Sequence, residues 1–388
     1  MCFFNRAHKM AVLLVLLASL AQAQACLAAD DEVQTVTIGF TGALSGVSEA
    51  FSKSLANAAE LAIAENNRAP FKINGKRIQF RLLRMDDRSD PERAKEVARI
   101  LVKEGVIGVI GGANSGTSIA GAKIYAAAGI PQISPAASLR KYTESGSRTT
   151  FRMVGIDDQA CVFLGEYVVN EMHAQRVAVI DNGTLFGSTV AARFSEVAQD
   201  HGAVIVRRDS VSDMLTDFSG ILKSAKAQDV DLVFFGGYSS QTSMLAQNMA
   251  RMEMKAHLVT TMVGIVGTPF LISAGSAANG TIAQEAGISF GKMPGWKKFE
   301  TDFTQRFDFN IYGLTPYAYD AAHVLMAAVR QANALDPRKV AYALHQISHK
   351  GLTGTVSFDA SGNPRTPSFT IYEVQNQKWV ALRTHTVR

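Results

Sequence analysis

Two serines, Ser115 and Ser138, each follow a short apolar, branched run and sit among small residues, a pattern suited to holding an anion. The first lies in Val106-Ile107-Gly108-Val109-Ile110-Gly111-Gly112-Ala113-Asn114-Ser115-Gly116-Thr117-Ser118, the second in Ile130-Pro131-Gln132-Ile133-Ser134-Pro135-Ala136-Ala137-Ser138. Each apolar stretch reads as a buried parallel strand and each hydroxylic stretch as the turn that follows it. Such a turn aims backbone N–H groups and hydroxyls at one spot, with the positive end of a helix dipole behind them. Side by side, the two turns predict a cleft for a carboxylate or phosphate. Hydroxyls after a strand also serve as plain helix caps, so these residue types alone leave both roles open.

Other chemistries find little support. The chain has no Gly-x-Ser-x-Gly, no His-Glu-x-x-His, no Gly-x-x-x-x-Gly-Lys-Ser/Thr and no cysteine pair at zinc spacing. His345 and His349 straddle a helix end with no third ligand nearby and read as surface residues. Asp86 and Asp87 are adjacent on a strand end and so point to opposite faces. They read as residues that close the turn before Pro91. The reading is therefore a non-enzymatic protein without a metal or cofactor.

The elements that would position the turns alternate along most of the chain. Val36 to Phe40 and Ile78 to Leu83 read as strands, and Leu55 to Asn66 as an Ala-rich helix. Asp90-Pro91-Glu92 predicts a helix start with Asp90 as N-cap and proline at the first position. Val106 to Ile110 and Ile119 to Ala127 continue the series. A second series follows Phe151-Arg152-Met153-Val154: helix from Asp158 to Glu171, strand Arg176 to Ile180, helix Val190 to Gln199, strand Val204 to Asp209, helix Phe218 to Ala227, and strand Asp231 to Phe235 ending in Gly236-Gly237-Tyr238. After Met293 come helices at Trp296 to Phe307, Pro316 to Gln331 and Pro337 to Gln346, then short strands at Gly354 to Phe358 and Ser368 to Val374. This is the grammar of an α/β protein with two Rossmann-like lobes. The late helices, having no strands between them, are expected to cover a sheet built earlier.

The N-terminus predicts export. Arg6, His8 and Lys9 precede an apolar run from Met10 to Leu20 and the small residues Ala21 to Ala25, the layout of a secretory signal over residues 1–29. That run is too short to span a bilayer comfortably. Cys26 lacks the preceding leucine of a lipobox, so soluble export is expected over lipid anchoring. The chain carries 39 Lys+Arg and 34 Asp+Glu, interspersed, which gives nucleic-acid binding no support. Cys161 is the one cysteine deep in the chain, so no disulfide framework is expected.

Taken in order, Ile38 to Gly46, Asp86-Asp87-Arg88-Ser89-Asp90-Pro91, Val109-Ile110-Gly111, Ile133 to Ser138 and Phe235-Gly236-Gly237-Tyr238 resemble the leucine/isoleucine/valine-binding type of periplasmic solute-binding protein. The resemblance implies two α/β lobes joined by three hinge crossovers. Their expected extents are 33–156 with 286–366 and 157–285 with 367–388. It implies a monomeric receptor that closes on a small amino acid or related carboxylate and delivers it to the permease of an ABC importer. Ser115, Ala136 and Ser138 match the positions that hold the ligand carboxylate. Phe51 and Phe186 match the aromatic sandwich, and Tyr238 the tyrosine of the second lobe.

Two departures stand out. Relatives often carry a disulfide where this chain has Ser89 and Asn114, so packing or hydrogen bonds must hold the serine turn. Amino-acid binders place an acid near Thr260 to Gly267 to meet the ligand ammonium, and this segment has none. Burying an unpaired ammonium is costly, so a carboxylic acid lacking an ammonium, aromatic or aliphatic, is the rival ligand. A bilobed sensory protein outside transport is the rival role, since fold does not fix function.

Overall fold

The computed structural model describes residues 32–144 and 146–387. The expected signal segment and Cys26 lie outside the described residues. Along the chain run β1 (Val33–Gly42), α1 (Glu49–Asn67), β2 (Lys72–Ile73), β3 (Lys76–Asp86), α2 (Pro91–Lys103), β4 (Val109–Ile110), α3 (Ser115–Ala128), β5 (Gln132–Ser134) and β6 (Thr150–Arg152). Next are α4 (Asp157–Asn170), β7 (Arg176–Asp181), α5 (Leu185–Asp200), β8 (Val204–Ser210), α6 (Ser219–Lys226), β9 (Leu232–Gly236), α7 (Ser239–Arg251), β10 (His257–Thr261), α8 (Thr268–Ala274) and β11 (Ile282–Ala286). The chain ends with α9 (Trp296–Phe307), α10 (Thr315–Ala332), α11 (Pro337–Gln346), the hairpin β12 (His349–Gly351) and β13 (Gly354–Val356), and β14 (Ser368–Gln375) with β15 (Lys378–Thr386).

The strands form two main sheets. One has the order β2-β3-β1-β4-β5-β6, the other β15-β14-β11-β10-β9-β7-β8. Both are parallel at their centres, with Phe40 opposite Ile110, Ile110 opposite Ile133, and Val179 opposite Phe234. Antiparallel strands occur only at edges: β2 in the first sheet, and β14 and β15 in the second. The central strands read as unbroken apolar runs because helices cover both faces. Ile38, Phe40, Val109, Ile110, Val179, Phe234 and Phe235 are wholly buried.

Local chemistry sets the boundaries that matter for the cleft. Asp90 Oδ1 accepts from Glu92 N–H (2.7 Å) and Arg93 N–H (3.1 Å), and Pro91 opens α2, as expected. Asn114 caps α3 by accepting from Thr117 N–H at 2.9 Å, and Gly129 ends it in the left-handed region at φ 71°. Thr184 caps α5 through Gly187 N–H at 3.0 Å.

The chain passes between the sheets three times: after Arg152, after Ala286 and before Ser368. Helix α10, reached by the second passage, returns to lie on α1 and over β4 and β5, so the late helices do cover a sheet made earlier. The strand expected at Val106 to Ile110 is shorter in the ladder, although Ile107 N–H still donates to Thr37 O (2.9 Å). His345 and His349 are half-buried rather than at the surface. His345 Nε2 lies 3.0 Å from Arg148 O, and the His349 ring stacks on His323. Cys161 is buried and free. Among the described residues no helix is long and apolar enough to cross a membrane.

Candidate functional site

The two serine turns meet at the C-terminal ends of β4 and β5, where open parallel sheets bind ligands. Ser115 is the first residue of α3 and is 2% exposed. Its Oγ accepts from Ser138 N–H (3.2 Å) and Leu139 N–H (3.4 Å), which ties the second turn to the first. With both contacts made as an acceptor, the hydroxyl retains its own hydrogen for a partner in the cleft. Ser134 Oγ accepts from Ala137 N–H at 2.9 Å and, at a longer 3.4 Å, from Ala136 N–H.

The hydrogen bonds also account for the turn's stability without a disulfide. Asn114 caps α3, Ser118 Oγ donates to Asn114 O (2.7 Å), and Ser89 N–H donates to Asp87 Oδ1 (3.0 Å). Asp87 is wholly buried, and burial pushes its carboxyl up to about 6. Asp86 is turned the other way and accepts from Leu44 N–H and Ser45 Oγ. The pair closes the turn before Pro91, as expected.

Phe51, Ser115, Ala136, Phe186 and Tyr238 line a single cavity. Phe51 comes from α1, Ser115 and Ala136 from the serine turns, Phe186 from the first turn of α5 and Tyr238 from the loop after β9. The Phe186 and Tyr238 rings are parallel within 6°, their centroids 6.4 Å apart, and Phe51 is braced edge-on by Tyr312 at 5.6 Å. One end of the space is thus polar, with Ser115 and Asn114, and the rest is aromatic and aliphatic. Burial raises the Tyr238 hydroxyl to about 12, so it stays protonated and able to donate. A wider hollow adjoins it, sharing Phe51, Tyr238 and Val263.

Ser138 does not line this cavity. It is wholly buried, its N–H is given to Ser115 Oγ, and its own Oγ has no hydrogen-bond partner among the described residues. Ala113, Asn114, Met262, Val263 and Leu314 complete the wall. Met262 and Val263 fall in the acid-free segment, whose contribution is apolar packing. Leu314 precedes α10 and carries no local signal of a site.

Two carboxylates that could have met an ammonium are engaged elsewhere. Asp181 Oδ1 accepts from Gly183 N–H, Ser188 Oγ and Ser210 Oγ. Glu285 Oε1 accepts from Ile265 N–H at 2.8 Å and so anchors the loop that carries Val263. Full burial raises Glu285 to about 7. An acid whose folded pKa is raised gains stability from its retained proton below pH 4.5 and loses that gain as pH climbs toward 7. Glu285→Gln keeps an acceptor for Ile265 and removes the titration. Its melting temperature should rise relative to the unsubstituted protein between pH 5 and pH 8, measured by calorimetric scans at matched ionic strength. A constant difference across that range would place the Glu285 pKa near its ordinary value.

The sequence model of the family described as periplasmic binding protein matches residues 35–378. The chain belongs to that family. It is 30% identical over 342 residues to Leu/Ile/Val-binding protein homolog 1 of Brucella suis, covering 87% of this chain and 90% of the relative. Among solved structures, the branched-chain amino acid transporter substrate binding protein LivJ of Streptococcus pneumoniae, in complex with isoleucine, shares the fold. It aligns at TM-score 0.80 and 24% identity, over 91% of this chain and 99% of that one. An ABC transporter solute binding protein from R. palustris in complex with benzoate aligns at TM-score 0.82 and 18% identity, over 90% and 96%. Both sheets and their helical cover therefore follow the type I periplasmic binding fold.

Proposed function

We propose that the protein is a periplasmic receptor that closes on a small amino acid or related carboxylate and presents it to the permease of an ABC importer. The observation that carries this reading is convergence on one cavity. The first sheet supplies Ser115 and Ala136 at its polar end, and the second supplies Phe186 and Tyr238 on the opposing side. A ligand touching both stabilises the closed arrangement by its differential affinity for it. The lobes are 33–156 with 286–366 and 157–285 with 367–388, hinged at the three passages between sheets. Ser115 Oγ and the nearby N–H groups neutralise the carboxylate, Ser138 acts through Ser115, and Phe51, Phe186 and Tyr238 enclose the apolar part. The receptor works as a monomer and binds without catalysing a reaction.

A second reading rests on one feature. Among the described residues, no aspartate or glutamate lines the cavity. An acid without an ammonium needs no counter-anion from that wall, and the Ser115 turn offsets the desolvation of its carboxylate. An ammonium would depend on carbonyls and on the faces of the aromatic rings. Mass spectrometry of small molecules released from the purified, denatured protein tests both readings. A leucine-sized amino acid or its deamino analogue is expected. A sugar or a nucleotide as the dominant released compound would contradict the proposal.

A further inference from the structure

Arg152, the last residue of β6, is the largest fully buried side chain among the described residues, and it forms no ion pair with a carboxylate. Nη1 donates to Ala137 O (3.2 Å) and Ser138 O (2.6 Å). Nη2 donates to Leu139 O (2.8 Å), Arg140 O (3.3 Å) and Thr143 Oγ1 (2.8 Å). Burial lowers the guanidinium only to about 10, so the charge persists at neutral pH. The nearby carboxyl of Asp157 instead accepts from Arg140 N–H at 3.1 Å. The cation is thus hydrogen-bonded only to neutral oxygens, with the Tyr142 ring 5.5 Å from Cζ and the carboxylates of Asp157 and Asp359 attracting it without a direct ion pair.

Its acceptors show where the field of the cation goes. The peptide between Ala137 and Ser138 receives the guanidinium on its oxygen and gives its N–H to Ser115 Oγ. The next peptide repeats the pattern, Ser138 O taking the 2.6 Å bond and Leu139 N–H reaching Ser115 Oγ. Hydrogen bonds in series polarise one another, so charge at the oxygen end strengthens donation at the nitrogen end. Both chains end on Ser115 Oγ, whose own hydrogen is free for the cavity.

We propose that Arg152 is a positioning residue for the anion site: it locks the Ala137–Arg140 loop from behind and polarises the two peptides that prime Ser115 as a donor. This rests on the reading that Ser115 meets a ligand carboxylate. The role gives the cleft a positive bias with no basic side chain in it, and so a preference for a carboxylate over a neutral amide.

The test is the ratio of affinities for acid and amide, measured by calorimetry with L-leucine against L-leucinamide and 4-methylpentanoate against 4-methylpentanamide. The unsubstituted protein prefers the acid in at least one pair; if it prefers neither, the reading of the Ser115 turn fails, and the proposal with it. Arg152→Gln, checked for native circular dichroism, lowers the ratio by about tenfold, as expected when a charge-assisted network becomes a neutral one. Arg152→Lys restores the charge but cannot bridge the same carbonyls, and it keeps the ratio within about threefold of the unsubstituted protein while weakening both ligands. A purely structural arginine would leave the ratio unchanged in Arg152→Gln, and that result overturns the proposal. Should Arg152→Gln fail to fold, Arg152→Lys is titrated with the 4-methylpentanoate pair from pH 6 to pH 10: a ratio that falls as the buried lysine loses its proton supports the role, and a ratio unchanged while the lysine deprotonates overturns it.

Discussion

Ser115→Ala weakens binding of a carboxylate by about 1.5–3 kcal/mol, roughly a 10- to 150-fold rise in Kd, the range for a hydrogen bond to a charged group. The residue sits at the polar end of the cavity with its hydrogen unspent. The helix itself survives the change, because Asn114 rather than Ser115 is its cap. Stability does not escape untouched. Ser138 N–H and Leu139 N–H lose their acceptor in a buried place, which costs about 1–3 kcal/mol. Affinity must therefore be measured well below the melting transition of the variant. An unchanged Kd in a folded variant would remove Ser115 from the site.

Gly264→Ala reduces affinity by more than tenfold while lowering ligand-free stability by only about 1–2 kcal/mol, the cost of a left-handed residue with a Cβ. Gly264 has φ +70°, and a Cβ there would stand 2.6 Å from Phe51 Cε2. Gly313 N–H donates to Gly264 O at 3.0 Å, so the loop touches two segments that pack with the first sheet. These contacts link position 264 to segments of the other proposed lobe, so hinge opening would break them. The added methyl penalises closure, and with it binding, more than folding. Adding Phe51→Leu to this variant should recover part of the loss if the clash is the cause. Calorimetry of the single and double variants checks this, and equal affinity in all three would show that closure does not pass through this contact.

Elements whose own residues carry a period or a cap were legible before the fold was known. Asp90-Pro91 announced α2, and the branched runs at Val36 to Phe40, Arg176 to Ile180 and Asp231 to Phe235 announced central strands. Strands β10 and β11 are not among the elements expected from the sequence. Ile282–Ala286 contains Gln284 and Glu285, wholly or almost wholly buried, where a core strand is expected to be apolar. Thr261 and Gln284 bond to each other, a tertiary solution that no local pattern discloses.

The same division holds for the cleft. Five of the six expected site residues line one cavity: Ser115 and Ala136 carry the small and hydroxylic signal of strand-end turns, Tyr238 follows a strand end, and Phe51 and Phe186 were expected from the family resemblance alone. Ser138 was expected in contact with ligand, yet its N–H is used within the turn. Leu314, Met262 and Val263 reach the cavity only because distant segments fold over it. Arg152 gave no sign of burial, since a lone arginine after a strand reads as surface until its five oxygen acceptors are in place.

The most direct test of the central claim is a calorimetric titration of the purified protein with leucine, isoleucine and valine, their deamino acids, and the amides of both sets. At least one carboxylate of this size is expected to bind, and its amide at least tenfold more weakly, the equivalent of about 1.4 kcal/mol. Binding of no member of the carboxylate sets, or equal affinity for acids and amides, would contradict a cleft organised around Ser115 to hold an anion.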